Sequence, residues 1–242
     1  MNKTIFLLLI TTICTSCSKK DIDPLTGEPY PTANKICALT FDDGPSNDPE
    51  LTTRVLDTLE KNSVKATFFL VGQNFNDSTR EIVMKISKSG HEIGNHSWTY
   101  DGMQDMSAQQ VKTYVKKTSD IIEEYAGVKP KFFRAPNLSA SKTMYESIDL
   151  PFASGVLGFD WPGGGGDTPE KIIDHVMSGM RDGAIILLHD VQPKPHPTPE
   201  AIETLIPKLK REGYEFVTLS ELFERKGIKP DSSSGFMYVY AE

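Results

Sequence analysis

Short, almost wholly apolar runs alternate with helical patterns along most of this chain, and that alternation limits its fold more than any other feature. The clearest run, Ile36-Cys37-Ala38-Leu39-Thr40-Phe41, has no polar face, as expected of a strand covered on both sides in a parallel sheet. Runs at 64–72, 91–97, 131–134, 152–156, 184–188 and 215–219 read as further strands. Between them, Asp48-Pro49-Glu50 opens a helix with Leu51, Val55, Leu56 and Leu59 at helical spacing. Asp77 caps a helix bearing Ile82, Val83 and Ile86 and ended by Gly90, and Ser107 caps a long one stopped near Gly127. Thr168-Pro169-Glu170 starts another, and helices over 201–211 and 220–226 close the series. Strands and helices alternating at this spacing imply parallel β/α units, about seven of them, and hence an α/β barrel or barrel-like fold. The domain is expected over 35–226, and the tail 227–242 offers one more peripheral strand.

The N-terminus reads differently. Lys3 precedes the apolar stretch 5–10, which is too short to span a bilayer and matches a signal peptide. Cys14-Thr15-Ser16-Cys17 resembles a bacterial lipoprotein cleavage site. The expectation is a leader over 1–16, a lipidated Cys17 and a polar tether over 17–34, which would hold the domain to a membrane on the periplasmic or cell-surface side. The plainer alternative is ordinary signal cleavage near the same point. Cys37 would then be the single cysteine of the domain, buried in a strand and without a disulfide partner. With a net charge of −7 and no basic stripe, the chain is not a nucleic-acid binder. It is expected to act as a monomer.

Reactive residues gather at strand ends. Asp42 and Asp43 end the first strand and run into Gly44-Pro45. Taken alone this is a turn sequence; at the C-terminal end of a barrel strand it is also where chemistry is placed. His96 follows the third strand, Arg134 the fourth, Asp160-Trp161 the fifth, and His189 ends the run 184–188. Each alone is weak, but five such clusters on one rim are not ordinary structural residues. The glycines 163–166 lack the Lys-Ser/Thr of a phosphate loop, and there is no G-x-S-x-G elbow.

In order, T-F-D-D-G-P, H-S, R-x-P, D-W and L-x-H resemble the five motifs of the polysaccharide deacetylases, carbohydrate esterase family four, over about residues 36–222. The resemblance implies a distorted (β/α)7 barrel and metal-dependent removal of acetyl groups from an acetylated polysaccharide or oligosaccharide. It implies Asp43 and His96 as ligands of a divalent metal ion, zinc or cobalt by donor type. Asp42 would be the general base that activates the attacking water, and Arg134 would pair with it and set its orientation. The backbone N–H of Asn137 would stabilise the oxyanion. His189 would be the general acid, with Asp160 holding its imidazolium, and Trp161 and Leu187 would wall the slot for the acetyl methyl.

Where the family carries a second histidine ligand, this chain has Tyr100, a far weaker donor whose phenol titrates near 10. A weaker metal site suits ester cleavage better than amide cleavage, because an alkoxide leaves more readily than an amine anion. The H-S-W-x-Y variant and the run 189–199 also look like the acetylxylan-esterase branch. The reading is therefore an esterase for O-acetyl groups of xylan-like polysaccharide. Its alternatives are an N-deacetylase of chitin oligomers or peptidoglycan, and a sugar-binding protein with a failing metal site.

Overall fold

The computed structural model describes residues 21–242; the expected leader and Cys17 lie outside the described residues. Residues 21–30 form a small turn of their own, with Ile22 bridged antiparallel to Pro29 and Gly27 at φ +74°. The body, from Pro31 on, is the α/β domain.

Its six strands are β1 Lys35–Asp42, β2 Thr67–Leu70, β3 Glu92–Asn95, β4 Val156–Leu157, β5 Ala184–His189 and β6 Tyr214–Val217. All pair in parallel, as their apolar runs require. β1 is the hub. β5 flanks it from Cys37↔Ala184 to Asp42↔His189. On the other side β6 pairs with its first half and β2 with its last three residues, so the sheet forks there.

The expected strand at 131–134 is reduced to one bridged residue. Phe133 pairs with Asn95 at the end of β3 and with Phe152 on its other side. Arg134 and Ala135 leave the ladder at once for a turn at Pro136–Leu138, where Asn137 and Leu138 have positive φ. From Phe152 the chain runs on to β4, which pairs with β5, and the ring closes. Counting Phe133, seven strand positions are each followed by a helix, in keeping with the distorted (β/α)7 barrel that the family resemblance implies.

The helices are α1 Arg54–Lys61, α2 Arg80–Lys88, α3 Ala108–Ala126, α4 Lys142–Ser147, α5 Pro169–Gly179, α6 Thr198–Arg211 and α7 Leu219–Arg225. Ser107 caps α3 in a reciprocal capping box with Gln110, and Gly127 ends it at φ +70°. Asp77 does not cap α2, which starts later: the Asn76 side chain accepts from the Ser78 amide, and that local turn occupies the residues before Arg80. α6 begins at Thr198 rather than 201, since Pro199 in the first turn costs no helical hydrogen bond. α4 is too short to show a period in sequence.

Strand parity sorts the core. Cys37, Leu39 and Phe41 pack outward with Leu56, Leu59, Ile202 and Leu205, while Ile36 and Ala38 face inward with Phe69, Ile185 and Phe223. Thr40 and Asp42 share that inward parity, as do Leu187 and His189 beyond Ile185. The tail is not a regular strand. Tyr238 exchanges backbone hydrogen bonds with Phe152 and Ser154, and Val239 accepts from Ile185. It wedges between the start of the 152–157 segment and β5, below the point where those two join.

Candidate active site

The inward parity of β1 delivers Asp42 to the C-terminal mouth of the barrel, where Arg134 meets it. The guanidinium is wholly buried and donates to Asp42 Oδ1 at 2.7 Å and to Thr40 Oγ1 at 2.8 Å. It also donates to the carbonyls of Ala153 at 3.1 Å and Ser154 at 2.7 Å, and stacks on the Phe69 ring. A buried ion pair is tolerable only when it is well hydrogen-bonded, and all three guanidinium nitrogens here have an acceptor. Burial pulls the pKa of Arg134 down, and Asp42 opposes it.

Asp43 turns the other way, at φ +77° directly beyond β1. Its carbonyl accepts from Asn74 Nδ2 at 2.8 Å. His96, just past β3, has Nδ1 2.9 Å from the Arg134 carbonyl, which can only accept, so Nδ1 carries the hydrogen. That leaves Nε2 facing Asp43 Oδ1 at 3.5 Å and Asp42 Oδ2 at 3.8 Å. Burial would lower the pKa of His96, but Asp42 and Asp43 overcome it and the net shift is upward. The same two carboxylates that draw a proton to Nε2 would draw a metal cation, and a fixed imidazole beside a carboxylate is a fitting donor pair. Among the described residues no set of three or more His, Cys, Asp or Glu side chains forms a metal cage. Tyr100 lines the same cavity, but its hydroxyl lies 2.7 Å from Asn74 Nδ2 and 3.4 Å from the Asp43 carbonyl, its hydrogen bonds running to those groups and not to the side chains of Asp43 or His96.

Across the mouth, His189 ends β5 level with Asp42. Its Nδ1 lies 2.8 Å from Asp160 Oδ1, and Asp160 Oδ2 accepts from the His189 amide at 2.8 Å and from Thr198 Oγ1 at 2.5 Å. Burial disfavours the imidazolium, but Asp160 more than compensates and pushes the pKa up to about 9. Burial likewise opposes the Asp160 carboxylate, while His189 and Thr198 bring its pKa below the usual value. The Trp161 ring packs edge-on to His189.

Asp42, Asp43, His96, Tyr100, Asn137, Trp161, Leu187 and His189 all line one cavity of about 560 Å³, with Arg134 and Asp160 buried behind it. Every catalytic, metal and substrate residue expected from the sequence is thus at this mouth; Cys17 lies outside the described residues. Leu157, which pairs with Leu187, and Phe159 complete the apolar wall. Phe159 takes φ +56° immediately before Asp160, a strained setting that aims the Asp160-Trp161 pair. Sequence reasoning missed these two, along with Thr40, Asn74, Thr198 and Gln192. Thr40 opens the T-F-D-D-G-P motif and Leu157 continues the inward parity of an expected strand; the other four stand in no recognisable pattern.

A parallel β/α barrel whose strand mouth carries two carboxylates, a buried arginine and two histidines defines a barrel hydrolase class of site. The polysaccharide deacetylase family model matches residues 30–152, and the chain belongs to that family. A family 4 acetyl xylan esterase from Clostridium thermocellum, solved in complex with a cobalt ion, superposes with a TM-score of 0.81 at 54% identity, over 85% of this chain and 98% of that one. A bifunctional xylanase/deacetylase of Pseudobutyrivibrio xylanivorans is 47% identical over 197 residues, 81% of this chain and 32% of that protein. A peptidoglycan-N-acetylglucosamine deacetylase of Listeria monocytogenes is 37% identical over 199 residues, 82% of this chain and 41% of that protein. The chain therefore spans well under half the length of these last two relatives.

Proposed function

We propose that this chain is a metal-dependent carbohydrate esterase that removes O-acetyl groups from xylan-like polysaccharide. The observation that carries the reading is a full acid–base set, Asp42–Arg134 and His189–Asp160, facing a metal pair of only two strong donors, Asp43 and His96. The likeness to an acetyl xylan esterase over nearly its whole length supports the same substrate class. A divalent cation, zinc or cobalt, held by Asp43 and His96 would supply Lewis acidity toward the acetyl carbonyl and lower the pKa of water beside it.

The side chains do the rest. Asp42, fixed by Arg134, takes the proton of the attacking water. The acetyl methyl seats against Leu187, Leu157 and Trp161, which sets the carbonyl between Asp42 and His189. The Asn137 backbone at φ +55° stands on the cavity wall as a donor for the developing oxyanion. His189, protonated on both nitrogens, passes a proton to the departing sugar oxygen while Asp160 steadies its charge.

Acetate release from acetylated xylan and from N-acetylglucosamine oligomers, each with and without added Zn²⁺ or Co²⁺, tests the assignment. Faster, metal-dependent release from xylan is expected. Preference for the oligomers would transfer the function to N-deacetylation, which the 37% identity to a peptidoglycan deacetylase favours. Release from neither substrate would favour a sugar-binding role. We also propose that Cys17 is acylated and tethers the domain outside the cytoplasm; the Cys14-Thr15-Ser16-Cys17 sequence supports this. Mass spectrometry of the membrane fraction should find lipid on Cys17, and Cys17→Ala should release the domain. A wholly soluble native protein with unmodified Cys17 would overturn it.

A further inference from the structure

We propose that Gln192 is a positioning residue for the metal site, holding the Asp43 carboxylate so that only Oδ1 is free to bind the cation. The proposal rests on the reading of Asp43 and His96 as the metal pair. Gln192 lies in the loop between β5 and α6, and its side-chain nitrogen donates to Asp43 Oδ2 at 2.6 Å. A carboxylate can only accept, so it is the amide nitrogen that faces it. The other oxygen, Oδ1, faces His96 Nε2 at 3.5 Å. The two oxygens of Asp43 thus have separate partners, one a neutral donor and one the second ligand.

Asp43 needs such a hold. Its backbone is pinned at φ +77° by Asn74, but nothing on that side fixes the rotation of the carboxylate. Gln192 does so without adding charge, leaving Asp43 a one-oxygen ligand aimed at His96. The loop is itself braced: midway along it Lys194 pairs with Asp48 at 3.1 Å, and directly after it Thr198 donates to Asp160. One short segment therefore sets the metal ligand on one side of the cavity and the partner of the acid on the other.

Zinc affinity of the purified full chain, read by competition with a chromogenic chelator, tests this without reference to turnover. Gln192→Met keeps the side-chain length and removes the donor. It is expected to weaken zinc binding about tenfold or more, the usual effect of losing a group that orients a metal ligand. The thermal midpoint of the metal-free protein should not move. Zinc affinity within twofold of wild type would overturn the proposal. So would an unchanged affinity with a raised KM, which would make Gln192 a substrate contact. His96→Ala separates the two readings, because it should abolish tight zinc binding. If it does not, the metal pair itself is misassigned and the proposal falls with it.

Discussion

Both oxygens of Asp160 are committed to His189, Oδ1 to the ring Nδ1 at 2.8 Å and Oδ2 to the backbone N–H at 2.8 Å. Burial works against a charged imidazole there, and the carboxylate overcomes it, so the pKa of His189 stands at about 9. The acid form is present at neutral pH and is lost as pH rises through about 9. Hydrolysis of acetylated xylan should therefore decline on that alkaline limb. Asp160→Asn keeps the shape and removes the charge, so the limb should move down toward the ordinary histidine value of 6.5. A pH profile of kcat/KM for both proteins checks this; a limb unmoved in the variant would assign it to another group.

His189 and Asp42 should separate by substrate. A sugar alkoxide needs a proton to leave well, and an activated phenolate scarcely does. His189→Ala is expected to lose roughly 10²–10⁴-fold on acetylated xylan while keeping much of its rate on an aryl acetate. Asp42→Asn should lose activity on both, because no base then serves the water. Equal losses of His189→Ala on the two esters would remove it from the acid role.

Tyr100 lines the cavity beside the proposed metal pair, Asp43 and His96. Its hydroxyl bonds to Asn74 and to the Asp43 carbonyl, and it offers a neutral phenol whose pKa burial raises further. Tyr100→His replaces that phenol with an imidazole donor. Zinc affinity should rise on the order of tenfold, as expected when a third nitrogen ligand is supplied. Chelator competition measures it, and an unchanged affinity would mean that this position does not reach the metal.

His91, just before β3 and at the opposite end of that strand from His96, predicts a pH dependence of stability. It is buried, its Nδ1 accepts from the Ala66 amide at 3.2 Å, and burial with Lys65 and Lys85 lowers its pKa to about 4. The unfolded chain, with an ordinary value of 6.5, binds the proton first as pH falls. Stability from this site is thus full above 6.5 and is lost progressively down to about 4. His91→Gln should flatten the fall in thermal midpoint across that window. An unchanged slope would put the dependence elsewhere.

The order of strands and helices, the apolar runs covered on both faces and the reactive residues at the strand ends were all determined by the sequence itself. These are local properties: a period of two or of 3.6, a capping serine, a glycine at a helix end. Parity alone places Asp42 with Thr40 and Ala38 inside the barrel. Tertiary structure decided what those residues face. Arg134 reaches Asp42 across 92 residues of chain, and Gln192 reaches Asp43 across 149. Such pairs form because the closed ring brings strand ends together; the motif resemblance names Arg134 as the partner of Asp42, but no stretch of sequence marks Gln192. The single-residue strand at Phe133 and the wedge made by Tyr238 and Val239 likewise depend on the barrel. Both are held by backbone N–H and C=O groups, which every residue except proline supplies alike, so only the position of the neighbouring strands selects them.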